Sequence, residues 1–416
     1  MHVMFIHPNF PAQFGHIAQY LATDLHWRCT FVTSIDTTHL QLPFVHVNYK
    51  VREGPQPKVF YNPGTLQELL DHMAAIYKGL RNTPALRPDL VVGHMSYGTM
   101  LYLRNLYPCP FVGYYELLPP PFWGDGLVLR KEFPPPEGIR LFNATYHALT
   151  YLHLHAVDAA YTPTQYQLTT APQEMRHKIR VIFDGVNTDF FQRRPLPRPF
   201  EFRGRTIGPG TRVVTYVSRG LESIRGFDIF MKVAQRVCRE IDDVVFLIAG
   251  DERTNYGHEA FYLQGQTFKQ YVLSQGQYDP DKFVFLGLVP TPELVTLYSL
   301  SDLHVYLTVP YVLSWSLVQA MSAGCTILGS ATAPVQEVID HGVQGLLAGF
   351  ADVDALAEQA LKVLRDPAQY RPLGEAARQR VLERYELKRC TAELVKLFEQ
   401  TAGTSAVDQL FAGPPT

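Results

Sequence analysis

The chain has 416 residues, and its 37 lysines and arginines nearly balance its 39 acidic residues, so the formal net charge is −2. With 46% hydrophobic and 18% charged residues, the composition excludes a disordered chain and leaves room for two or three folded domains. The near-neutral charge argues against a protein drawn as a whole onto nucleic acid or an anionic membrane. The five cysteines are far apart and form no C-x-x-C pair, which argues against a disulfide framework and a structural zinc site.

The chain begins without a basic stretch or a long apolar segment, so we expect no signal peptide. No apolar run approaches the roughly 20 residues that cross a bilayer. We therefore expect a cytoplasmic protein without an integral membrane segment, and we leave open a peripheral position at the inner membrane face.

The first half of the chain predicts alternating strands and helices. Residues 2–6 are an apolar run, followed by a proline-rich turn and a helical pattern in which Phe14, Ile17 and Leu21 share one face. Further apolar runs lie at residues 29–32, 90–93, 111–113 and 179–182. Strands that are apolar along their whole length are typical of a parallel sheet covered by helices on both faces.

The second half repeats this pattern after a stretch rich in proline and glycine, residues 189–210, which predicts a linker. We expect strands at 212–217, 244–249, 282–286, 303–307 and 326–328, and helices at 227–240, 292–299, 317–323, 335–341 and 353–365. The predicted fold class is α/β, with two doubly wound Rossmann-like domains facing across a cleft that binds two substrates. We place an N-terminal acceptor domain at 1–190, the linker at 191–210, a C-terminal donor domain at 211–385, and a final helix and tail at 386–416 that can pack on either domain.

The turn after the first strand of the second half, residues 218–227, carries Arg219 and Arg225 just before a predicted helix. Arginine binds phosphate through two donors at once, and the unpaired amides at a helix start favour anions. The pair can therefore hold a diphosphate, or both arginines can lie solvated on the surface, and spacing alone does not decide between these. The turn matches neither a Walker loop nor a G-x-G-x-x-G motif.

A second loop, within residues 310–321, follows the strand at 303–307 and enters a helix that Ser314 or Ser316 can cap. This helix start lies at the same strand ends, so the two loops together form a candidate pyrophosphate cradle. Gly250 and Asp251 follow the strand at 244–249, where the carboxylate can bond hydroxyls or simply belong to a turn.

We expect no metal site. The two D-x-D sequences, at residues 279–281 and 352–354, lie in a polar turn and at a helix start rather than after a buried strand. His147, His153 and His155 do not share one helical face, so we interpret them as packing residues.

Six stretches of the second half occur in a characteristic order: YVSR with IRG at 216–226, FLIAGD at 246–251, FLG at 285–287, QAMSAGC at 319–325, APVQEVI at 333–339 and GVQGLL at 342–347. In these stretches the chain resembles the donor domain of the family 4 (group 1) retaining glycosyltransferases, which have the GT-B fold. The whole chain resembles a bacterial subset of that family through HPNFPAQF at 7–14, GYYE at 113–116, FDGV at 183–186 and YVLSWS at 311–316.

The resemblance implies transfer of a sugar from a nucleotide diphosphate sugar, such as a UDP or GDP sugar, with retention and without a metal or other cofactor. It makes Arg219 the phosphate-binding arginine and puts Arg225 where the family usually has a lysine. Both count as catalytic, because fixed cations stabilise the charge that the leaving diphosphate gains. The implied donor-binding residues are Ser218, Gly220, Gly250, Asp251, Leu286, Gly287, Tyr311, Val312, Leu313, Ser314 and Gln319.

Two positions depart from the family pattern. Gln319 replaces the glutamate that bonds the ribose, and Tyr311 replaces the glutamate that often contacts the sugar. In the first domain, Tyr115 or Glu116 falls where the family often has a histidine near the reacting sugar, and both are catalytic candidates without an assigned base. The expected acceptor-binding residues are Gln13, Phe14, His16 and His94.

The sequence is compatible with several acceptors: a glycan, a lipid-linked sugar, a small molecule or a modified nucleobase. It does not define the oligomeric state. Two alternatives keep the fold. One is a degenerate partner subunit that only binds nucleotide sugar, which Gln319 and Tyr311 favour and the arginine pair opposes. The other is a nucleotide-sugar epimerase or hydrolase.

Overall fold

The computed structural model describes residues 1–50, 66–97, 99–118 and 129–403. The described residues divide into two compact units. The first unit takes in the described parts of Met1–Pro121, Glu137–Asp184 and Cys390–Thr416, and the second those of Phe122–Pro136 and Gly185–Arg389.

The first unit is built on a parallel sheet, with seven strands in the described part of the chain. Its strands are His2–Ile6 (β1), Arg28–Thr33 (β2), Val45–Asn48 (β3), Leu90–His94 (β4), Phe111–Tyr114 (β5), Ala159–Thr162 (β6) and Ile179–Val181 (β7). Their spatial order is β3-β2-β1-β4-β5-β6-β7, so the order reverses beside β1. The helices are Gly15–Thr23 (α1), Leu66–Arg81 (α2), Glu137–Ala156 (α3) and Gln165–Thr170 (α4).

The second unit contains a six-stranded parallel sheet and a separate two-stranded hairpin within the residues described. The hairpin strands are Phe200–Phe202 (β8) and Arg205–Ile207 (β9), and the sheet strands are Arg212–Gly220 (β10), Val244–Asp251 (β11), Phe283–Gly287 (β12), Leu303–Tyr306 (β13), Ile327–Ser330 (β14) and Leu346–Ala348 (β15). The sheet order is β12-β11-β10-β13-β14-β15. The helices are Phe227–Glu240 (α5), Phe268–Ser274 (α6), Thr291–Leu300 (α7), Trp315–Ser322 (α8), Ala333–Gln336 (α9), Val353–Arg365 (α10), Pro367–Arg384 (α11) and Leu387–Gly403 (α12), whose C-terminal part belongs to the first unit.

Helix α5 shows how the sequence pattern produces the packing. Its buried residues Phe227, Phe230, Ala234 and Val237 recur every three or four positions, which places them on one face. Phe230 stacks on Tyr216 of β10, with ring centroids 4.7 Å apart. The helix thereby covers the strand from which the candidate phosphate loop emerges.

The structure of the second half differs from the expectations in several places. Residues 191–210, expected to be a linker, contain the β8–β9 hairpin, whose Phe202 and Ile207 are buried in an apolar cluster with strand residues of the second unit. In this stretch the many prolines and glycines predict a linker more strongly than two apolar side chains predict strands. The helix expected at 335–341 ends at Gln336, and strand β15 and helices α6 and α11 were not expected.

The final helix has a defined packing. Leu394, Leu397 and Phe398 of α12 are buried in a core cluster of the first unit, and the Phe398 ring lies 6.2 Å from that of Phe5 on β1. In the part of the chain that the structure describes, no helix is both long enough and apolar enough to cross a membrane.

Candidate active site

Strand β10 marks the point at which the sheet of the second unit reverses its order, because β11 and β13 lie on either side of it. Loops that leave such a point diverge and open a crevice at the carboxyl ends of the strands, where ligands bind in α/β proteins. The pairing of β10 with β11 shifts register between Val217 and Gly220. Ser218 and Arg219 therefore lie in an irregularity at the strand end, and such irregularities often redirect side chains at sites.

Arg225 is buried in the turn after β10, with 7% of its surface exposed. Its Nη1 donates to the Tyr306 hydroxyl at 3.3 Å, the Thr308 hydroxyl at 3.0 Å and the Val312 carbonyl at 3.1 Å. These partners are neutral, and among the described residues Nε and Nη2 have no hydrogen-bond partner. Burial acts to lower the pKa of Arg225, but the Tyr306 oxygen and the Glu222 carboxylate outweigh it, and the pKa is raised. The guanidinium is thus a fixed charge with donors left over for an anion.

Arg219 is exposed and is held only loosely. Its Nη1 lies 3.2 Å from the hydroxyl of Tyr256, to which it donates. The Tyr256 ring centroid is 6.0 Å from the guanidinium carbon of Arg219 and 5.9 Å from that of Arg225, and it is 5.5 Å from the ring of Tyr311. Tyr256 is therefore the side chain that contacts both arginines.

Helix α8 begins beside Arg225. The Ser314 hydroxyl caps it by accepting from the Ser316 amide at 3.3 Å, as one of the two sequence alternatives expected. The Ser314 amide donates to the Tyr306 hydroxyl at 3.0 Å, and Ser218, Ser314, Ser316 and Arg225 line one small pocket. The two predicted loops thus meet at Arg225 and the start of α8. Leu313 is buried, so its side chain packs beneath the loop.

Two buried glutamates, which the sequence interpretation passed over, hold the loops in place. Glu222 accepts three backbone hydrogen bonds on Oε2, from the amides of Asn255 (2.9 Å), Tyr256 (2.7 Å) and Gly257 (3.0 Å). Glu259 accepts from the amide of Ser223 at 3.0 Å and from its hydroxyl at 2.6 Å.

Arg130 fixes the same turn from another part of the chain. Its Nε donates to the Ser223 carbonyl at 2.7 Å, and its Nη1 donates to Glu132 at 2.7 Å and to Asp228 at 3.1 Å. A further short contact joins Nη2 to Asp228. The guanidinium also lies 5.1 Å from the ring centroid of Phe350, so a buried cation anchors the start of α5.

Two of the three glycines predicted at the donor site, Gly220 and Gly250, are required by close packing. A Cβ added to Gly220 would lie 2.5 Å from the Asn255 side chain and 2.7 Å from the Arg253 carbonyl, and one added to Gly250 would lie 3.0 Å from the Ser218 carbonyl. Any larger residue would push the loops apart. Asp251 accepts from Nε of Arg253 at 2.6 Å, and this bond lowers its pKa. In this structure Asp251 therefore stabilises its own turn.

The remaining predicted donor residues lie at the edge of this arrangement. Leu286 is buried and Gly287 is exposed at the end of β12. Gln319 is half-buried in the second turn of α8, and its side chain makes no hydrogen bond to the residues that the structure describes.

In the first unit, His94 and Glu116 lie together at the carboxyl ends of β4 and β5. His94 is fully buried, and its Nδ1 accepts from the Ser96 amide at 3.2 Å, which places the ring proton on Nε2. That nitrogen is 3.6 Å from a carboxylate oxygen of Glu116, whose side chain is 30% exposed. Burial, reinforced by the nearby His7, lowers the pKa of His94 well below its ordinary value. The pair is thus a neutral imidazole beside an accessible carboxylate.

Two more histidines are buried near this pair. The rings of His7 and His94 are 5.1 Å apart. Burial lowers the pKa of His7 to about 4, although its contacts with Asn9 and Gln13 act to raise it. Burial also lowers the pKa of His16 to about 4. All three histidines are neutral at pH 7, so they can exchange hydrogen bonds but bring no charge.

Tyr115 and Phe14 have packing roles, and we withdraw them from the residues expected to touch substrate. The Tyr115 side chain is buried in a core cluster, and its hydroxyl lies 2.9 Å from that of Thr170. Phe14 is fully buried, with its ring 5.7 Å from that of Phe5. Tyr115 follows the last residue of β5 and packs in a different core cluster from Tyr114, the residue whose ring lies 4.8 Å from that of His94.

Sequence reasoning missed six residues of the donor half: Arg130, Glu222, Tyr256, Glu259, Tyr306 and Thr308. Only Glu222 and Tyr306 lay within stretches already singled out. Glu222 stands between the two arginines, and an acidic residue in that place was the one signal that the sequence offered. Among the described residues, no three His, Cys, Asp or Glu side chains come together as a metal site would require.

Two curated relatives match parts of the chain. The N-acetyl-α-D-glucosaminyl L-malate synthase of Bacillus anthracis is 29% identical over 118 residues, which is 28% of this chain and 30% of that protein. An uncharacterized glycosyltransferase of Methanocaldococcus jannaschii is 22% identical over 260 residues, 59% of this chain and 63% of that protein. The matches thus span less than two thirds of either relative.

Solved structures match nearly the whole chain. Sucrose-phosphate synthase of Thermosynechococcus elongatus has a TM-score of 0.72 at 17% identity, covering 97% of this chain and 100% of that one. HepE of Anabaena, solved with UDP and glucose, has a TM-score of 0.68 at 14% identity, covering 96% and 100%. Together with the two parallel-sheet units, these likenesses establish the GT-B fold.

Family models account for both halves of the sequence. The model of the glycosyl transferase family 4 group matches residues 26–191, and that of the glycosyl transferases group 1 matches residues 197–380. The two matches follow one another in the order that the sequence motifs predicted. The chain belongs to the family 4, group 1 glycosyltransferases.

Proposed function

We propose that the protein transfers a glycosyl group from a nucleoside diphosphate sugar to an acceptor hydroxyl, with retention at the anomeric carbon. The second unit binds the donor and the first binds the acceptor. The observation that carries this proposal is Arg225, a buried guanidinium held by neutral oxygens at the strand-order reversal, with donors unused among the described residues. The nearby Glu222 carboxylate raises the pKa of Arg225, but no carboxylate lies within ion-pair distance of the guanidinium in the described part of the chain, and this supports an anion as its direct partner.

The reaction explains why cations would be fixed in this place. When the bond between the anomeric carbon and the diphosphate oxygen breaks, negative charge grows on the diphosphate. Arg225, Arg219 and the amides at the start of α8 can stabilise that charge without reorganising. Arginines then supply what a metal ion supplies in other transferases, so we propose a metal-independent reaction with no cofactor.

The relatives support a choice of donor and stereochemistry. HepE has been solved with UDP-glucose, so we place UDP sugars ahead of GDP sugars. The Bacillus anthracis relative is named for an α-glucosaminyl product. Since the common UDP-hexoses carry an α bond to the diphosphate, an α product from such a donor corresponds to retention.

On the acceptor side we assign roles to His94 and Glu116. His94 Nε2 lies 3.6 Å from one carboxylate oxygen of Glu116, too far for a hydrogen bond, so His94 lines the site, and the exposed part of the carboxylate accepts a hydrogen bond from the acceptor hydroxyl. Gln13 and His16 remain acceptor-binding candidates. The identity of the acceptor follows from experiment.

The test is release of nucleoside diphosphate from a panel of UDP, GDP and ADP sugars, with and without candidate acceptors. We expect slow release without acceptor and faster release with the correct one. Arg225→Met should abolish release, whereas Arg203→Ala, which removes an exposed arginine paired with Glu293, should leave it unchanged. Nucleotide-sugar binding without release under any condition would favour the degenerate partner subunit, and release of a free sugar or an epimerised donor would favour the other alternative.

A further inference from the structure

Glu222 is a carboxylate for which the proposed reaction provides no direct use. It lies between Arg219 and Arg225 in sequence, and its side chain is fully buried. One of its oxygens receives three consecutive backbone amides, those of residues 255–257. Hydrogen bonds from neutral donors to an ionised acceptor are among the stronger ones in proteins. Such an arrangement fixes a loop backbone at one point.

The loop that Glu222 holds carries Tyr256. The Tyr256 amide makes the shortest of the three bonds, at 2.7 Å. From that anchor, the Tyr256 side chain lies beside the guanidinium groups of both Arg219 and Arg225, the pair that we call the clamp, and its hydroxyl accepts from Arg219 at 3.2 Å. Arg219 is otherwise exposed, so Tyr256 is what restricts its orientation within the described part of the chain.

Neighbouring residues also restrict the position of the loop that carries Tyr256. Gly220 has no room for a Cβ because Asn255 and Arg253 pack on it. Glu259 holds Ser223, the next residue after Glu222, through its amide and hydroxyl. Other contacts therefore hold the turn around Ser223 and the loop around Asn255. The Glu222 carboxylate joins this turn to this loop through its hydrogen bonds to the amides of residues 255–257.

We propose that Glu222 is a positioning residue of the donor site, which acts through residues 255–257 to hold Tyr256 against Arg219 and Arg225. It orders the clamp before the diphosphate arrives, so that binding does not have to restrict a mobile arginine. This proposal rests on the proposed function, since it assumes that the clamp binds a nucleoside diphosphate.

The experiment compares Glu222→Ala, Glu222→Gln and the exposed control Glu293→Gln by calorimetric titration with UDP. Alanine removes the acceptor for three amides, whereas the glutamine carbonyl can still accept them. We expect alanine to weaken UDP binding at least tenfold, glutamine to recover most of the loss, and the control to match the unmodified protein. Hydrogen–deuterium exchange of residues 253–258 should become at least tenfold faster in Glu222→Ala and stay slow in Glu222→Gln.

Different failures have different meanings. Equal UDP affinity in Glu222→Ala and the unmodified protein would overturn this proposal and leave the proposed function standing. If the unmodified protein binds no nucleoside diphosphate, the proposed function falls and this proposal with it. If Glu222→Ala does not fold, Tyr256→Ala provides the test, because it removes the ring without changing the core. Unchanged UDP affinity in Tyr256→Ala would overturn the role of the loop, and a tenfold loss would support it.

Discussion

Replacing Glu222 by glutamine should change how stability depends on pH. Burial raises the pKa of Glu222 to about 7, with Glu259 adding to the rise, although the amides of Tyr256 and Gly257 and the charge of Arg225 oppose it. The folded protein therefore holds the Glu222 proton more tightly than the unfolded chain does. The stability contributed by that proton is complete below the unfolded pKa and is lost as the pH rises through about 7.

The expected size follows from the two pKa values. The difference between 4.5 and about 7 corresponds to about 3 kcal/mol, at roughly 1.4 kcal/mol for each pH unit. The glutamine side chain does not titrate, so the free energy of unfolding of Glu222→Gln should not fall as the pH rises through about 7. Relative to the unmodified protein, Glu222→Gln should gain about 3 kcal/mol between pH 4.5 and pH 8, most of it between pH 5 and pH 7.

Urea unfolding of both proteins at half-unit steps from pH 4.5 to pH 8 measures this gain. Glu293→Gln serves as the matched control, because Glu293 is 40% exposed and its loss should give a difference that changes little over the same range. A stability difference for Glu222→Gln that is constant within about 0.5 kcal/mol across the range would refute the reasoning, since it would mean that ionising Glu222 costs nothing in the fold.

Two further predictions concern the donor unit and its chemistry. Arg130→Met should lower the free energy of unfolding by about 3–5 kcal/mol, because it leaves Asp228 and the Ser223 carbonyl without their buried donor, and Arg130→Lys should recover only part of this in thermal melts. If Arg219 and Arg225 supply the cations, as we propose, sugar transfer should persist in EDTA; a complete loss of turnover that Mn²⁺ restores would contradict this.

Features encoded by local sequence were predictable. The parallel strands are buried on both faces, so they appear as continuous apolar runs, as at residues 2–6 and 244–249. Helix α5 begins and ends where its apolar periodicity does, and the Ser314 cap follows from a serine before an apolar helix. The two loops that carry Arg225 and Ser314 follow β10 and β13, and the strand order makes these neighbours.

Features that depend on distant residues meeting were not predictable. Arg130 donates to the carbonyl of Ser223, 93 positions later in the chain, and the residues next to Arg130 in the sequence do not indicate that it is buried. Glu222 is buried only because residues 255–257, more than 30 positions later, supply the amides that let a carboxylate stay there. The β8–β9 hairpin lies in a proline-rich stretch, where two apolar side chains carry too little periodic signal to outweigh the turn residues.

Gln319 offers a test of whether the donor site works as an enzyme site. Its half-buried side chain lies in the second turn of α8, whose start is beside Arg225, and it makes no hydrogen bond to the described residues. If it bonds the ribose hydroxyls, a carboxylate in its place would accept more strongly, by about 0.5–1.5 kcal/mol. Gln319→Glu should therefore bind UDP as tightly as the unmodified protein or up to about tenfold more tightly, and UDP should raise its melting temperature. In a degenerate protein whose pocket has closed, the same change would bury an unpaired charge and cost several kcal/mol of stability with no binding. Calorimetric titration and thermal melting with and without UDP separate these cases, and a destabilised Gln319→Glu protein that UDP does not stabilise would count against the transferase.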